Sequence, residues 1–375
     1  MLDKILLFPY YLSLKIRDRH YSRPGRKVFV PSVPSVCVGN VTVGGTGKTP
    51  HVEMILDILQ KSERWAGSQL AVLSRGYKRE SKGFQQVTLK SSAALVGDEP
   101  LQIKKNFPDV TVAVDKNRIA ACGYLTDPEK FRNSKASAKC WDKDFPAADY
   151  IVLDDAFQYR KLKAARTVVL VDYNRPVFDD MLLPFGNLRD LPKRIGTADI
   201  LIVSKCPRQI EVEDKIAFAQ KLRIKDYNPE THEGVSCTGR RQTVLFTYIE
   251  YGDCECVYPT TDPRYNYSQK LIMVTGIAKD TPLRRHLSDK HKIVKRFSFP
   301  DHHKFVWADI DKIQKALRKH PTACIVTTQK DVQRLLDFQG MPDIIKERLL
   351  VAPIKTRFTT ETEEAMFKDL ILTLS

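Results

Sequence analysis

Residues 44–49 read Gly-Gly-Thr-Gly-Lys-Thr. They follow a short apolar run, Pro34 to Asn40, and precede Val52, Ile55, Leu56, Ile58 and Leu59, which recur at helical spacing. Of all features of the chain, this predicted strand–loop–helix order narrows the fold most. The glycines let backbone N–H groups converge on anionic oxygens, and the helix start adds its positive dipole end. Lys48 can reach β- and γ-phosphates, and the Thr49 hydroxyl can bind Mg²⁺. The strict pattern has Gly where Thr42 stands, but the Gly-x-Gly-Lys-Thr core is intact. A dinucleotide fingerprint cannot be laid over the same residues. Thr42, Val43, Gly44, Gly45, Thr46, Gly47, Lys48 and Thr49 are therefore the candidate loop for a nucleoside triphosphate with Mg²⁺.

Further short aliphatic runs follow at Leu70–Leu73, Val110–Val114, Tyr150–Leu153, Val168–Val171 and Ile200–Val203, separated by helical stretches. Buried strands alternating with helices predict a parallel sheet with helices on both faces. Between about Thr243 and Pro259 the sequence alternates and is rich in Tyr, Val and Phe, which suits a ribbon of antiparallel strands. A second α/β set then begins at Leu271. The chain has 375 residues, which at about 150 residues per domain suggests two domains. The expected division is a segment 1–30, a phosphate-loop domain 31–240, and a smaller α/β domain 241–375 that starts with the ribbon.

Several polar groups stand where such a fold would present them. Asp154 and Asp155 follow the run ending at Leu153, and a carboxylate at that strand end would hold Mg²⁺ directly or through water. Gly97-Asp98-Glu99-Pro100 puts two acids at a turn, where one could accept a hydroxyl proton, or where Asp could simply begin a helix ahead of Pro. Asp301-His302-His303 has no third ligand nearby for zinc, so proton handling or a plain surface loop are its two readings. Arg75, Arg118 and Arg189 each follow an element expected to end at the nucleotide edge, and arginine suits bidentate phosphate recognition.

The charge balance is 61 Lys and Arg against 45 Asp and Glu, net +16, which favours an anionic partner. No recognisable nucleic-acid motif accompanies it. Eight cysteines show no C-x-x-C pair, so reduced thiols and a cytosolic setting are expected. No apolar run is long enough to cross a bilayer. Met1 to Arg26 mixes Leu, Ile, Phe and Tyr with Lys and Arg, and Pro9 interrupts its apolar stretch. Such a segment can lie in the interface of an anionic membrane, or it can pack on the domain as a terminal helix. Val43 stands where ParA/MinD-type ATPases carry Lys, which argues against that class.

Taken in order, these motifs resemble the tetraacyldisaccharide 4′-kinase family. The resemblance rests on Val38 to Pro50, Leu73 to Tyr77, Val96 to Pro100, Leu153 to Gln158, Leu182 to Arg189, Asp301-His302-His303 and Thr328 to Asp331. It implies two α/β domains joined by a two-stranded ribbon. The implied activity is transfer of the ATP γ-phosphoryl group to the 4′-hydroxyl of an acylated glucosamine disaccharide 1-phosphate. It further implies Asp98 and His302 as the catalytic pair, and Thr49, Glu99, Asp154 and Asp155 around magnesium. Arg118 and Arg189 match family arginines near phosphates or substrate; Arg75 and Gln158 join them as candidates. The resemblance also implies a membrane-contacting N-terminal helix, hence work at the anionic cytoplasmic face of a Gram-negative inner membrane, with no nucleic acid or protein partner. Gln329 stands where the family usually has Glu, and Asp190 where it commonly has Glu after the arginine. Adenine contacts are unassigned, with Ser204-Lys205-Cys206-Pro207 as a guess.

Overall fold

A computed structural model describes residues 2–374 apart from Pro24, Ala278 and His302. The larger sheet has eleven strands; one, β16 (Ile354–Phe358), pairs only with β10, and the other ten are, in chain order, β1 (Ser35–Asn40), β2 (Leu70–Ser74), β3 (Gln85–Val87), β4 (Thr111–Val114), β5 (Tyr150–Asp154), β6 (Arg166–Asp172), β7 (Ile200–Ser204), β8 (Lys225–Asn228), β9 (Glu233–Val235) and β10 (Arg241–Tyr251). Their spatial order is β3-β4-β2-β5-β1-β6-β7-β10-β9-β8. From β4 to β10 every neighbouring pair is parallel, and the strands at the two margins are antiparallel. The smaller sheet holds β11 (Glu255–Cys256), β12 (Lys270–Thr275), β13 (Lys292–Ser298), β14 (Cys324–Thr328) and β15 (Leu349–Ala352), in the order β11-β15-β14-β12-β13.

Helices cover both sheets. They are α1 (Leu2–Tyr21), α2 (Lys48–Lys61), α3 (Ala93–Val96), α4 (Asp98–Asn106), α5 (Arg118–Thr126), α6 (Pro128–Arg132) and α7 (Val212–Lys221) in the first part. The second part adds α8 (Thr281–Lys290), α9 (Trp307–Lys319), α10 (Gln329–Leu336) and α11 (Asp343–Lys346), and α12 (Glu361–Leu372) ends the chain.

Why the sequence folds this way is visible in β1, where successive side chains point to opposite faces. Val36 and Val38 join α2 and α12 in one buried cluster, through Ile55, Leu56, Leu59, Phe367 and Ile371. Cys37 points the other way, into a cluster with Leu14 of α1, Leu125 of α5 and Phe218 of α7. A strand buried on both faces is mainly apolar, and fully burying each Val side chain contributes about 1.5–3 kcal/mol.

The ribbon differs from its sequence pattern in one respect. Thr243 to Phe246 of β10 pair in parallel with β7, whereas Thr247 to Tyr251 pair antiparallel with β16 (Ile354–Phe358). Alternation within residues 243–259 signalled strand but not partner, and the partner lies about a hundred residues on. After β16 the chain returns to the larger sheet. Thr360 and Glu363 form a capping box at the start of α12, whose Phe367 packs on Phe358 with ring centroids 5.1 Å apart. The carboxylate of buried Glu363 accepts from the Phe246 N–H at 3.1 Å and pairs with Lys215 at 3.0 Å.

Among the described residues no helix is long and apolar enough to cross a membrane. Helix α1 lies against the larger sheet through buried Leu14, and its Asp18 pairs with Arg160 at 3.0 Å and Lys193 at 2.6 Å. The same helix leaves Phe8, Tyr11, Leu12 and Ile16 exposed.

Candidate active site

The loop between β1 and α2 begins at Asn40, the last residue of β1 and fully buried. Its amide donates to the Thr46 hydroxyl at 2.7 Å and more weakly to that of Thr42 at 3.4 Å. Its own carbonyl groups accept from Arg189 and from Gln158. Asn40 thus pins the loop from beneath, and sequence reasoning missed it as a site residue. The available signal was a single amide closing an otherwise small or apolar strand. The loop closes at Gly47, which sits at φ +88°, a left-handed conformation that glycine adopts without strain. Its carbonyl accepts from the backbone N–H of His51 at 3.2 Å and from the His51 ring at 2.7 Å.

The segment after β5 crosses directly over β1. A Cβ on Gly39 would lie 2.4 Å from the Phe157 Cβ, so only glycine permits this crossing. The crossing delivers Asp154 and Asp155 to the loop. Asp155 adopts φ +50° and donates its N–H to the Val38 carbonyl at 2.9 Å. Its carboxylate is forked by Arg189, with Nη1 to Oδ2 at 3.0 Å, and lies 3.7 Å from the Lys48 ammonium. Burial raises the Asp155 carboxyl, but Lys48 and Arg189 outweigh it and hold it at about 2. Asp154 is the reverse case. Burial, reinforced by the charge on Asp155, pushes it up to about 6. Ser74 donates to its Oδ2 at 2.9 Å, while the buried Oδ1 has no hydrogen-bond partner. A buried carboxylate oxygen without a donor is costly unless a cation serves it.

The two acids at residues 98–99 open α4. Gly97, at φ +97°, lets α4 start against the turn after β2, where its Cβ would lie 3.4 Å from the Gly76 Cα. Asp98 and Glu99 occupy the first turn, where the helix dipole favours negative charge. Glu99 is close enough to add to the upward push on Asp154. The far end of α4 is tied to the loop helix by Gln102 and Asn106, which donate to Glu53 at 3.0 and 2.9 Å. Burial raises the Glu53 carboxyl to about 7.

Cations gather at the same edge. Arg118 is buried at the start of α5, and burial, followed by the charge of Arg75, lowers its pKa. Arg75 itself is exposed. Two such like charges side by side suit a polyanion. Arg175 approaches the loop from β6, its Nη2 3.8 Å from where a Gly44 Cβ would lie. At the end of β7, Ser204 donates to the Thr46 carbonyl at 2.8 Å and Lys205 pairs with Asp172 at 2.7 Å. The Leu182–Arg189 motif lies along the loop's outer rim, where Val43 donates to the Asn187 carbonyl at 2.7 Å. Gln158 is turned to the Asn40 carbonyl.

The second part reaches this edge through α10. Arg334 contacts Asp98 Oδ2 with Nε at 2.9 Å and Nη2 at 2.5 Å, and Lys330 lies 3.2 Å from Glu99 and 3.0 Å from Asp301. Arg334 was not singled out from sequence, because an arginine on an amphipathic helix carries no local mark of a partner 236 positions away. His302 lies outside the described residues. His303 is engaged elsewhere, hydrogen-bonded to Asp309 at 2.8 Å and stacked on Phe299 at 4.4 Å. Gln329 accepts from the Ile354 N–H at 3.1 Å, so this amide supports the start of the returning strand.

The family model described as Tetraacyldisaccharide-1-P 4′-kinase matches residues 4–372. The chain belongs to the tetraacyldisaccharide 4′-kinase family. It is 34% identical over 338 residues to the tetraacyldisaccharide 4′-kinase of Phocaeicola vulgatus, covering 88% of this chain and 83% of that one. With the namesake of Flavobacterium johnsoniae it shares 35% identity over 94% of this chain and 92% of the other. A crystal structure of LpxK from Aquifex aeolicus, described as an "apo" form in complex with ATP, superposes with TM-score 0.66 at 25% identity, covering 99% of each chain. The mixed α/β architecture is therefore shared with that structure.

Proposed function

We propose that this site performs the family's reaction with Asp98 as the base and the loop as the phosphate cradle. As a tetraacyldisaccharide 4′-kinase, the chain transfers the γ-phosphoryl group of ATP to the 4′-position of the disaccharide 1-phosphate lipid precursor in lipid A biosynthesis. The observation that carries the residue reading is the convergence of the loop, Asp154-Asp155, Arg189 and the Asp98-Glu99 turn at one sheet edge.

In this reading the backbone N–H groups of residues 44–49 and the Lys48 ammonium bind the phosphates. Arg75, Arg118 and Arg189 meet the charge that spreads onto the transferring group, a task of positioning and electrostatics. Thr49, Asp154, Asp155 and Glu99 are the residues that would hold Mg²⁺. The donor-less Oδ1 of Asp154 fits a cation, and among the described residues no group of three His, Cys, Asp or Glu could hold one alone. Mg²⁺ takes one or two carboxylates together with substrate phosphates. When bound, Mg²⁺ would supply neutralisation of phosphate charge. Asp98 accepts the proton of the sugar hydroxyl, with His302 as its partner by motif position.

The exposed apolar residues of α1, with Lys15 and Arg19 beside them, support placement on an anionic bilayer, at the cytoplasmic face of a Gram-negative inner membrane. An acylated acceptor would be met there. The test is phosphotransfer from ATP to the disaccharide 1-phosphate lipid, with and without Mg²⁺, for the native chain and Asp98→Ala. Full turnover by Asp98→Ala at saturating acceptor would refute the base assignment.

A further inference from the structure

The positive charge of the chain is not evenly spread. From Lys279 to Arg296 there are seven Lys and Arg against two acids, Asp280 and Asp289. These residues form one face of the second part: α8 and, directly after it, β13, an edge strand of the smaller sheet. Leu283 and Leu287 bury one side of α8 against that sheet, and Arg285 and Lys290 are left exposed. On β13, Lys292, Lys295 and Arg296 are exposed as well. Arg296 pairs with Asp280 at 3.1 Å and Lys290 with Asp253 at 3.5 Å. Arg285, Lys292 and Lys295 have no ion pair among the described residues.

An irregularity in β13 arranges the strand's share of this charge. Leu271 of β12 registers with Ile293 and Ile272 with Lys295, so Val294 is one residue too many. Arg296 thereby registers with Met273, on the sheet face that α8 covers. There it lines a shallow groove together with Arg284, Lys295 and the half-buried Ile293 and Val294. Lysines on an edge strand also guard against strand-to-strand pairing. That accounts for Lys292 and Lys295 but not for the arginines of α8 beside them. The bulge makes the edge a poor template for an added strand, which disfavours an extended peptide as the occupant. Stacked bases are disfavoured too, because Phe297 is half-buried and the His286 ring is already stacked on Tyr251 at 4.9 Å. The remaining fit is a partner that spreads many phosphate charges over a surface and imposes no register.

We infer that the α8–β13 face is a second contact with the anionic bilayer, one that binds phospholipid headgroup phosphates. It is chiefly ionic, whereas the contact through α1 is chiefly apolar. The inference rests on the placement of the chain on such a bilayer. Each cation close to an anionic leaflet contributes about fivefold to binding, and the contribution fades as salt rises. The second part, which brings α10 to the site, is then itself held at the surface that carries the acylated acceptor.

The test is flotation of the full chain with phosphatidylcholine vesicles, with and without phosphatidylglycerol, at low and high salt. Flotation keeps bound protein apart from aggregate, which sinks. The native protein is compared with Arg285→Gln/Lys292→Gln/Lys295→Gln and with Lys312→Gln/Lys315→Gln/Lys319→Gln, which removes the same charge from exposed positions of α9. The first variant is expected to bind phosphatidylglycerol vesicles at least about tenfold more weakly at low salt and to lose most of the native salt dependence. The α9 variant should bind as the native protein does, since charges beyond a Debye length from the leaflet are screened. The inference is overturned if the first variant binds like the native protein. It is overturned equally if the α9 variant loses as much, because net charge alone would then be acting. RNA binding that the first variant loses while its vesicle binding stays native also overturns it, and assigns the face to nucleic acid. Should the triple variant fail to fold, Lys292→Glu and Lys295→Glu are read singly by the same criteria. A native chain that ignores phosphatidylglycerol vesicles would sink the membrane placement itself. Loss of binding in Phe8→Ser/Ile16→Ser beside none in the first variant sinks only the role of this face.

Discussion

The imidazole of His51 joins the phosphate loop to the strand that leads into the second part, with Nδ1 2.7 Å from the Gly47 carbonyl and Nε2 3.1 Å from the Thr247 hydroxyl. The carbonyl can only accept, so Nδ1 carries the proton and Nε2 accepts from Thr247. Burial lowers the pKa of His51 to about 4 and keeps the ring neutral. The loop's closing glycine is thereby referenced to β10, the strand shared by the larger sheet and the ribbon.

Replacing His51 by Ala should raise KM for ATP several-fold and destabilise the fold by about 1–3 kcal/mol, the range for leaving a buried partner unsatisfied. A pH effect accompanies it. The folded pKa lies below the unfolded value, so the unfolded chain binds more protons between about 6.5 and about 4. Stability from this group is complete above about 6.5 and falls as pH drops through that window. Urea denaturation at several pH values should show the native protein losing stability there more steeply than His51→Ala. Parallel curves would disprove the assignment.

Asp154 should make metal use pH-dependent. Burial and Asp155 raise its carboxyl to about 6, so protons compete with Mg²⁺ below that value. The Mg²⁺ concentration for half-maximal turnover should rise about tenfold per pH unit below about 6, with little change above it. Asp154→Asn should lower kcat by roughly 10²–10³-fold and abolish that pH dependence. Mg²⁺ titrations of phosphotransfer at acidic and neutral pH measure both.

Asn40 holds the loop from below through Thr46 and receives Arg189 and Gln158. Asn40→Ala should weaken ATP binding and cost about 1–3 kcal/mol, because the buried Thr46 hydroxyl loses its donor. Nucleotide-induced stabilisation in a thermal melt reads the first effect and the melt without nucleotide reads the second. An unchanged ATP response would mean that Asn40 supports the sheet alone.

Phe8 and Ile16 face solvent at 58% and 60% exposure, while Leu14 and Asp18 of the same helix face the protein. Phe8→Ser with Ile16→Ser should therefore reduce co-sedimentation with anionic vesicles and leave the melting temperature within about 2 °C, as expected of exposed surface positions. Undiminished vesicle binding would remove α1 from the membrane contact.

Much of this was legible in the chain itself. The loop, the aliphatic strands and the acids at 98–99 and 154–155 are local patterns, because a strand buried on both faces and a helix packed on one each impose a short period on the sequence. Of the N-terminal segment, α1 packs on the protein through one side, as a terminal helix would, and leaves its other side exposed. The ribbon was legible as alternation, but its pairing with residues 354–358 was not. Pairing is a property of two segments at once, and neither carries the other's address.

The sequence by itself determined where the strand, glycine-rich loop and helix around residues 44–49 lie and which acids the chain carries at the ends of its other elements, since each is a local pattern. Only the tertiary structure decided how those groups are poised. The same type of carboxyl is held at about 2 in Asp155 and pushed to about 6 in Asp154. One accepts Lys48 and Arg189, whereas the other is sealed from water beside a like charge. Likewise only the fold brought Arg334 to Asp98. Electrostatics depends on distance in space and on exclusion of solvent, and neither is written in the order of residues.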